Sequence, residues 1–220
     1  ISKAVQDALS PSIKNKSRLQ LIHSGIRLKA IGNTKSSGNE NYSFTVGYVA
    51  AFTEEKDHYT FLKVADFIEK NYPNLSMEYV LVGDGPLKNQ IEKDCEGKVS
   101  KFNFTGFVED VGEWYSKMDV LLHTSKSEAL GTSILDAMMY GLPVIASKTG
   151  GIPEIIEHEK HGYLYKSGDY ENMAEALVHL MKNPEAHKKI GEENLIRAKD
   201  FSSDKMTMET IKVYNSLMGN

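Results

Sequence analysis

The sequence predicts an α/β fold, a Rossmann-like parallel sheet flanked by helices, and three observations carry that expectation. Short, nearly continuous apolar runs such as Met-Glu-Tyr-Val-Leu-Val (77–82) and Asp-Val-Leu-Leu-His (119–123) read as strands buried on both faces. These runs alternate with stretches of helical periodicity, as at Phe61, Leu62, Ala65 and Ile68. Several runs stop at Gly-, Pro- or Ser-containing turns, the punctuation of βαβ units.

Taken in order, residues 1–9 read as a short helix and 17–26 (SRLQLIHSGI) as a short strand stopped by glycine. Residues 29–42 are rich in Gly, Ser and Asn and read as a loop or linker. Strand then follows at 44–49, helix at 58–71, strand at 77–82, helix at 87–95, strand at 99–104 and a short helix at 111–118. The next strand is expected at 119–123, a helix at 132–140 and a strand at 143–147, ahead of helices at 170–182, 184–198 and 204–218. No internal repeat is visible.

Composition narrows the function classes. The 220 residues are 40% hydrophobic and 25% charged, enough for one large or two small globular domains. A net charge of -4 supplies no basic excess to neutralise phosphates, which argues against nucleic acid or an anionic membrane as the main partner. Cys95 stands alone, so no disulfide framework is expected and a reducing interior is the default. No apolar run approaches the ~20 residues of a membrane span. The histidines offer no ligand set; the His-Glu-Lys-His of 158–161 reads as a solvated turn, and no metal is expected.

In a parallel sheet, ligands bind beyond the carboxyl ends of the strands. The distinctive turns all fall there: Gly83-Asp84-Gly85-Pro86, Thr105-Gly106-Phe107-Val108, 124–131 and 148–154. In the third, Gly131-Thr132-Ser133 opens a helix whose unpaired N–H groups suit a phosphate. Asp136, one turn in, can accept hydrogen bonds from a ribose diol, and Glu128 on the preceding loop can accept sugar hydroxyls. A phosphate between two hydroxyl acceptors describes a nucleotide sugar. The plainer alternative keeps equal standing: Ser127 or Glu128 caps the helix, and Asp136 sits near its positive end.

These residues resemble a known family, the retaining GT-B glycosyltransferases called group 1. The resemblance lies in two acids eight apart (Glu128-Ala129-Leu130-Gly131, then Asp136-Ala137-Met138), followed by Gly141-Leu142-Pro143-Val144-Ile145-Ala146-Ser147 and Gly150-Gly151-Ile152-Pro153-Glu154-Ile155. Gly83-Asp84-Gly85-Pro86, Gly106-Phe107-Val108 and the turn His161-Gly162-Tyr163-Leu164 add to it, so that it runs from about Phe44 to Phe201. It implies that Glu128 contacts the donor sugar and that Leu130, Gly131 and Thr132 present N–H groups to sugar and diphosphate. By the same likeness Asp136 holds the ribose, Lys56 supports the diphosphate as it leaves, and Val108 and Asp110 form the turn that meets the base. From the residues alone, Lys56 is as readily a solvated loop lysine and Asp110 a cap for the helix near Val111.

Two departures stand out. The family's arginine a few residues before the lysine is replaced by Ala51, and its second glutamate by Asp136. The resemblance also implies an N-terminal acceptor domain for which the residues before Phe44 are too few. On that basis 1–43 reads as a remnant of that domain and a linker, 44–200 as the donor domain, and 201–220 as an amphipathic helix. That helix either crosses onto the absent domain or completes this domain's own core. The implied reaction is transfer of a sugar, with retention, from a nucleotide-diphosphate donor to a hydroxyl, without metal, by a chain incomplete and inactive on its own. A lipid-linked or surface-polysaccharide acceptor, a cytoplasmic site or the inner face of the membrane, and peripheral membrane association through the absent domain are family-level expectations. The alternatives are a non-catalytic nucleotide-sugar-binding or partner-binding domain, favoured by Ala51, and a sugar-nucleotide epimerase.

Overall fold

A computed structural model describes residues 2–13, 15, 19–28 and 43–218. Six parallel strands form one sheet: β1 (Phe44–Val49), β2 (Met77–Val82), β3 (Lys101–Gly106), β4 (Val120–His123), β5 (Val144–Ser147) and β6 (Gly162–Tyr165). Their order is β3-β2-β1-β4-β5-β6, so the chain winds outward one way from β1 and then outward the other way from β4. The loops after β1 and β4 therefore diverge to opposite faces and leave a crevice between them, which is where this topology places ligands.

Helices cover both faces: α1 (Lys3–Leu9), α2 (His58–Asn71), α3 (Lys88–Asp94), α4 (Gly112–Tyr115), α5 (Thr132–Met139), α6 (Ile152–Ile155), α7 (Tyr170–Lys182), α8 (Pro184–Ala198) and α9 (Ser203–Met218). Alternation along each strand divides the core in two. Val46, Tyr48, Tyr79 and Leu81 face Phe61, Val64 and Ile68 of α2 and Met173 and Leu177 of α7. Val80, Val82, Leu121 and Val144 face Ile134, Leu135 and Met138 of α5. Both faces are buried, so the strands read as apolar runs rather than as alternating ones. Gly47 is the exception, and the space a Cβ would take there is filled by the Met118 side chain, whose Sδ lies 2.0 Å from that position.

Capping explains where the long helices begin. Asp57 takes a left-handed conformation (φ 48°) and its carboxylate accepts from the Thr60 N–H and, at 2.7 Å, from the Thr60 hydroxyl, starting α2. Asp169 caps α7, and Asn183 caps α8 ahead of Pro184. Within α8 the buried Asn194 donates to the carbonyls of Leu142 (2.8 Å) and His161 (2.9 Å), tying the helix to the chain on either side of β5.

The structure corrects several expected elements. The described part of the segment expected as a strand at 17–26 is not one. Only Ile26 finds a ladder partner, because just one turn of chain, at Ser202, lies alongside it. The segment 29–42, expected as a linker, lies outside the described residues. Val99 and Ser100 precede β3, and Val99 is exposed. The turn expected at 161–164 falls mostly within the edge strand β6 (Gly162–Tyr165), which pairs with β5, and 152–155 form the single-turn helix α6. Helix α9 does not complete the core. None of its described residues is buried, and Met208, Ile211, Tyr214 and Leu217 are each more than half exposed.

Candidate functional site

The crevice between β1 and β4 brings together two segments 72 residues apart. Tyr48 near the end of β1 donates its hydroxyl to the Lys56 carbonyl, and Thr124 just beyond β4 donates to the Asp57 carbonyl at 2.9 Å. These bonds pin the loop 52–57 against 124–128. The Lys56 ammonium then meets Glu128 Oε1 directly. The same oxygen accepts from His123 Nε2 at 2.8 Å and from the Ser125 hydroxyl at 3.0 Å. Among the described residues, Oε2 has no hydrogen-bond partner.

Burial alone would raise the Glu128 pKa. The His123 hydrogen bond and the Lys56 charge outweigh it and hold the carboxyl at about 2. His123 is fully buried, and burial keeps its imidazole below the ordinary value although Glu128 pulls the other way. Its Nδ1 has no partner among the described residues. Nε2 therefore carries the proton, and His123 acts on Glu128 as a neutral donor; the charged pair in the site is Lys56–Glu128.

Glu128 is also held from behind. The Gly151 N–H donates to the Glu128 carbonyl at 3.2 Å, and Gly150 (φ 51°) packs so closely that a Cβ would sit 1.7 Å from that oxygen. The Gly-Gly-x-Pro-Glu turn is thus the floor under the Glu128 loop. Its last residue faces elsewhere: Glu154 accepts from the N–H groups of Lys3 (2.8 Å) and Ala4 (2.9 Å) and from His23 (2.8 Å), capping α1. Burial raises its pKa, and those three donors bring it below the ordinary carboxylate value.

The remaining expected site residues fall along one rim. Leu130 is 2% exposed and packs in the core, so only its backbone is available to a ligand. Gly131 (φ 97°) is the N-cap of α5, and its carbonyl accepts from Ile134 and Leu135. No side chain caps the helix, and the N–H groups of Thr132 and Ser133 find no protein acceptor among the described residues. Asp136, one turn on, lines a small cleft with Arg27, Val111, Gly112, Tyr115, Met139 and Tyr140. Burial raises the Tyr115 hydroxyl pKa well above normal, helped by the charge of Asp136, and Tyr115 donates to the Ser133 carbonyl at 2.9 Å. Val108 is half-buried against the same core, while Asp110 accepts from the Gly112 N–H at 2.9 Å in the turn that leads into α4, whose N-cap is Val111. Sequence reasoning missed His123, Ser125 and Tyr48, which carry no motif. The one available signal was a polar trio at the end of an apolar strand, just before an acid.

The architecture and this block of residues are matched elsewhere. Glycosyl transferases group 1, as a family, matches residues 43–183. The chain belongs to that family. It is 27% identical over 220 residues to an uncharacterized glycosyltransferase of Methanocaldococcus jannaschii, covering 99% of this chain and 58% of that protein. It is 30% identical over 172 residues to the N-acetyl-alpha-D-glucosaminyl L-malate synthase of Bacillus anthracis, covering 71% of this chain and 42% of that one. The chain thus spans about half the length of these curated relatives. Among solved structures, Anabaena HepE in complex with UDP and glucose superimposes with a TM-score of 0.83 at 22% identity, over 98% of this chain and 61% of that one. The six-stranded parallel sheet is thus that of a GT-B half. No described helix of this family member is long and apolar enough to cross a membrane.

The buried imidazoles of the site make acid stability a direct check. Burial lowers the His58 pKa to about 4, opposed by the Asp57 charge, from an ordinary 6.5. Between those values an unfolded chain binds a proton at this position that the folded chain does not, and His123 acts in the same sense. Both folded-state values are depressed, so their contribution is intact above pH 6.5 and is lost as pH falls. Stability is expected to decline from about pH 6.5 downward, by up to roughly 1.4 kcal/mol per pH unit for each histidine. Glu128 adds to the loss below pH 4.5. Urea titrations at pH 7.5, 6 and 5 test this, and a flat profile would mean that both imidazoles charge within the fold.

Proposed function

We propose that this chain is the donor-binding half of a retaining glycosyltransferase. It binds a nucleoside-diphosphate sugar and, with an N-terminal acceptor domain, transfers the sugar to a hydroxyl. The observation that carries this reading is the convergence of the Lys56 ammonium and the Glu128 carboxylate next to the uncapped start of α5, at the point where the sheet changes direction. A cation and open N–H groups suit a diphosphate, and a carboxylate with one oxygen to spare suits sugar hydroxyls. HepE, with its UDP and glucose, supports the same assignment.

In this reading Lys56 and the amides of Gly131 and Thr132 neutralise the diphosphate as it leaves, the electrostatic support that accounts for most of catalysis in such reactions. Asp136 accepts the ribose hydroxyls, Leu130 contributes backbone, and Val108 lies beside the base with Asp110 holding its turn. The departing diphosphate takes the acceptor proton, so no separate general base and no metal are required. The exposed apolar stripe of α9 would pack on the acceptor domain, without which the chain is inactive in transfer. A non-catalytic nucleotide-sugar-binding domain is the second reading, favoured by Ala51 in the position of a family arginine. Activity of the full-length protein separates the two.

The test is titration of the chain with UDP, GDP and ADP. A nucleotide present at a hundred times its Kd stabilises by about 2.7 kcal/mol, or about 5–10 °C in melting temperature for a chain of this size. One of the three is expected to produce such a shift. If none of them moves the transition, the donor site is not here.

A further inference from the structure

We infer that His123 is a positioning residue that sets the orientation of the Glu128 carboxylate, turning Oε1 inward and leaving Oε2 for a donor-sugar hydroxyl. The inference rests on the donor reading above and goes beyond it in naming what aims the acid. All the hydrogen bonds to the Glu128 carboxylate, from Lys56, His123 and Ser125, fall on Oε1. Three donors on one oxygen fix both the side-chain torsions and the plane of the carboxylate, so the free oxygen has one direction.

Of the three, Lys56 is the one that a diphosphate would draw away, and it is a quarter exposed on a long flexible side chain. Ser125 is shared, since its hydroxyl also lies 3.1 Å from His123 Nε2 and 3.3 Å from the Tyr48 hydroxyl. His123 is the rigid member. It is the last residue of β4, wholly buried, with its ring edge-on to Tyr48 at 5.3 Å. Its Nδ1 is buried without a partner among the described residues, a cost that an apolar side chain in the same space would avoid. What the imidazole supplies in return is the bond from Nε2 to Glu128, the shorter of the two contacts that this nitrogen makes. When Lys56 turns to the diphosphate, that bond keeps the carboxylate aimed at the sugar.

The experiment compares the affinity of the chain for UDP, GDP and ADP with its affinity for UDP-glucose, GDP-mannose and ADP-glucose, by calorimetry. The ratio within a pair isolates the sugar's contribution. His123→Leu is expected to leave the nucleoside diphosphate affinity within about twofold and to cut the sugar's contribution about tenfold. His123→Gln, whose amide reaches the same oxygen, should restore most of it. Should the leucine variant not fold, His123→Asn, whose shorter amide falls short of Oε1, takes its place against the glutamine variant.

Equal sugar contributions in the wild type and in the leucine or asparagine variant overturn the positioning role. So does a parallel loss of diphosphate and sugar-nucleotide affinity that glutamine fails to rescue, which would mark His123 as structural only. A wild-type chain that binds the diphosphates but gains nothing from any sugar also overturns it, while leaving the nucleotide site standing. Failure of every nucleotide to bind removes the donor reading itself, and this inference with it.

Discussion

Replacing Glu128 by alanine is expected to reduce sugar transfer by the full-length enzyme about 10²–10³-fold or more, the range seen when one preorganised polar group is removed from a reacting centre. The fold should survive. Removing one member of a buried ion pair is usually costly because the other charge is stranded. Here the partner, Lys56, is a quarter exposed and can turn to water. His123 keeps the Ser125 hydroxyl within 3.1 Å, so its Nε2 is not left without company. A stability loss below about 2 kcal/mol is therefore expected, since a partly exposed pair contributes far less than a dry one. The measurement pairs donor turnover with urea unfolding of the same preparation. Wild-type turnover in a folded Glu128→Ala protein would take Glu128 out of the chemistry.

Gly150→Ala should be the most damaging of the conservative changes. The residue sits at φ 51°, where a side chain costs about 1–2 kcal/mol by itself. The larger penalty is steric: the added Cβ would lie 1.7 Å from the Glu128 carbonyl oxygen and 2.8 Å from its carbon. Both obstacles are backbone, so no rotamer change relieves the clash, and the 124–131 loop must move. We expect a loss of more than about 3 kcal/mol, at the upper end for overpacking. The segment that moves carries Glu128, so donor-sugar affinity should fall about tenfold even in protein that still folds. Gly168→Ala is the control. It has φ 83° but nothing within 4 Å of its Cβ, and should show the torsional cost alone. Similar losses in the two variants would mean that the contact of Gly150 with the Glu128 loop is unimportant.

Legibility in the sequence followed the range of the interactions involved. β1, α2 and β2 were read with the observed boundaries because local signals agree there: apolar runs, the Asp57 cap and glycine or proline turns. The turn at 161–164 is expected only through likeness to a family, and β6 is legible nowhere in the local pattern, because it is a four-residue edge strand that pairing with β5 alone reveals. The 17–26 segment differs in the opposite sense: its local pattern suits a strand, but among the described residues its pairing is a single bridge, Ile26 to Ser202. The fate of α9 was likewise open in the sequence, because an amphipathic stripe specifies that a face should be covered but not what covers it.

For the site, the acid-flanked helix start was visible as a block from Glu128 to Asp136, since helix capping and phosphate recognition both act within a few residues. Lys56 entered only through likeness to a family; nothing near it in sequence points at a carboxylate 72 residues away. His123 and Gly150 were beyond reach for the same reason. A histidine closing an apolar strand and a glycine in a turn have many uses, and their meaning here is a 2.8 Å bond and a close approach that exist only once β4, β5 and their loops are side by side. The sequence by itself determined the alternation of strand and helix and the sheet's parallel sense, because both depend on periodicity along the chain. The start of α5, in contrast, was equally open to a cap from Ser127 or Glu128 until the fold left it bare. Which cation meets Glu128, which imidazole aims it and which glycine supports it were decided by the tertiary structure, because those contacts join segments that only the winding order of the sheet brings together.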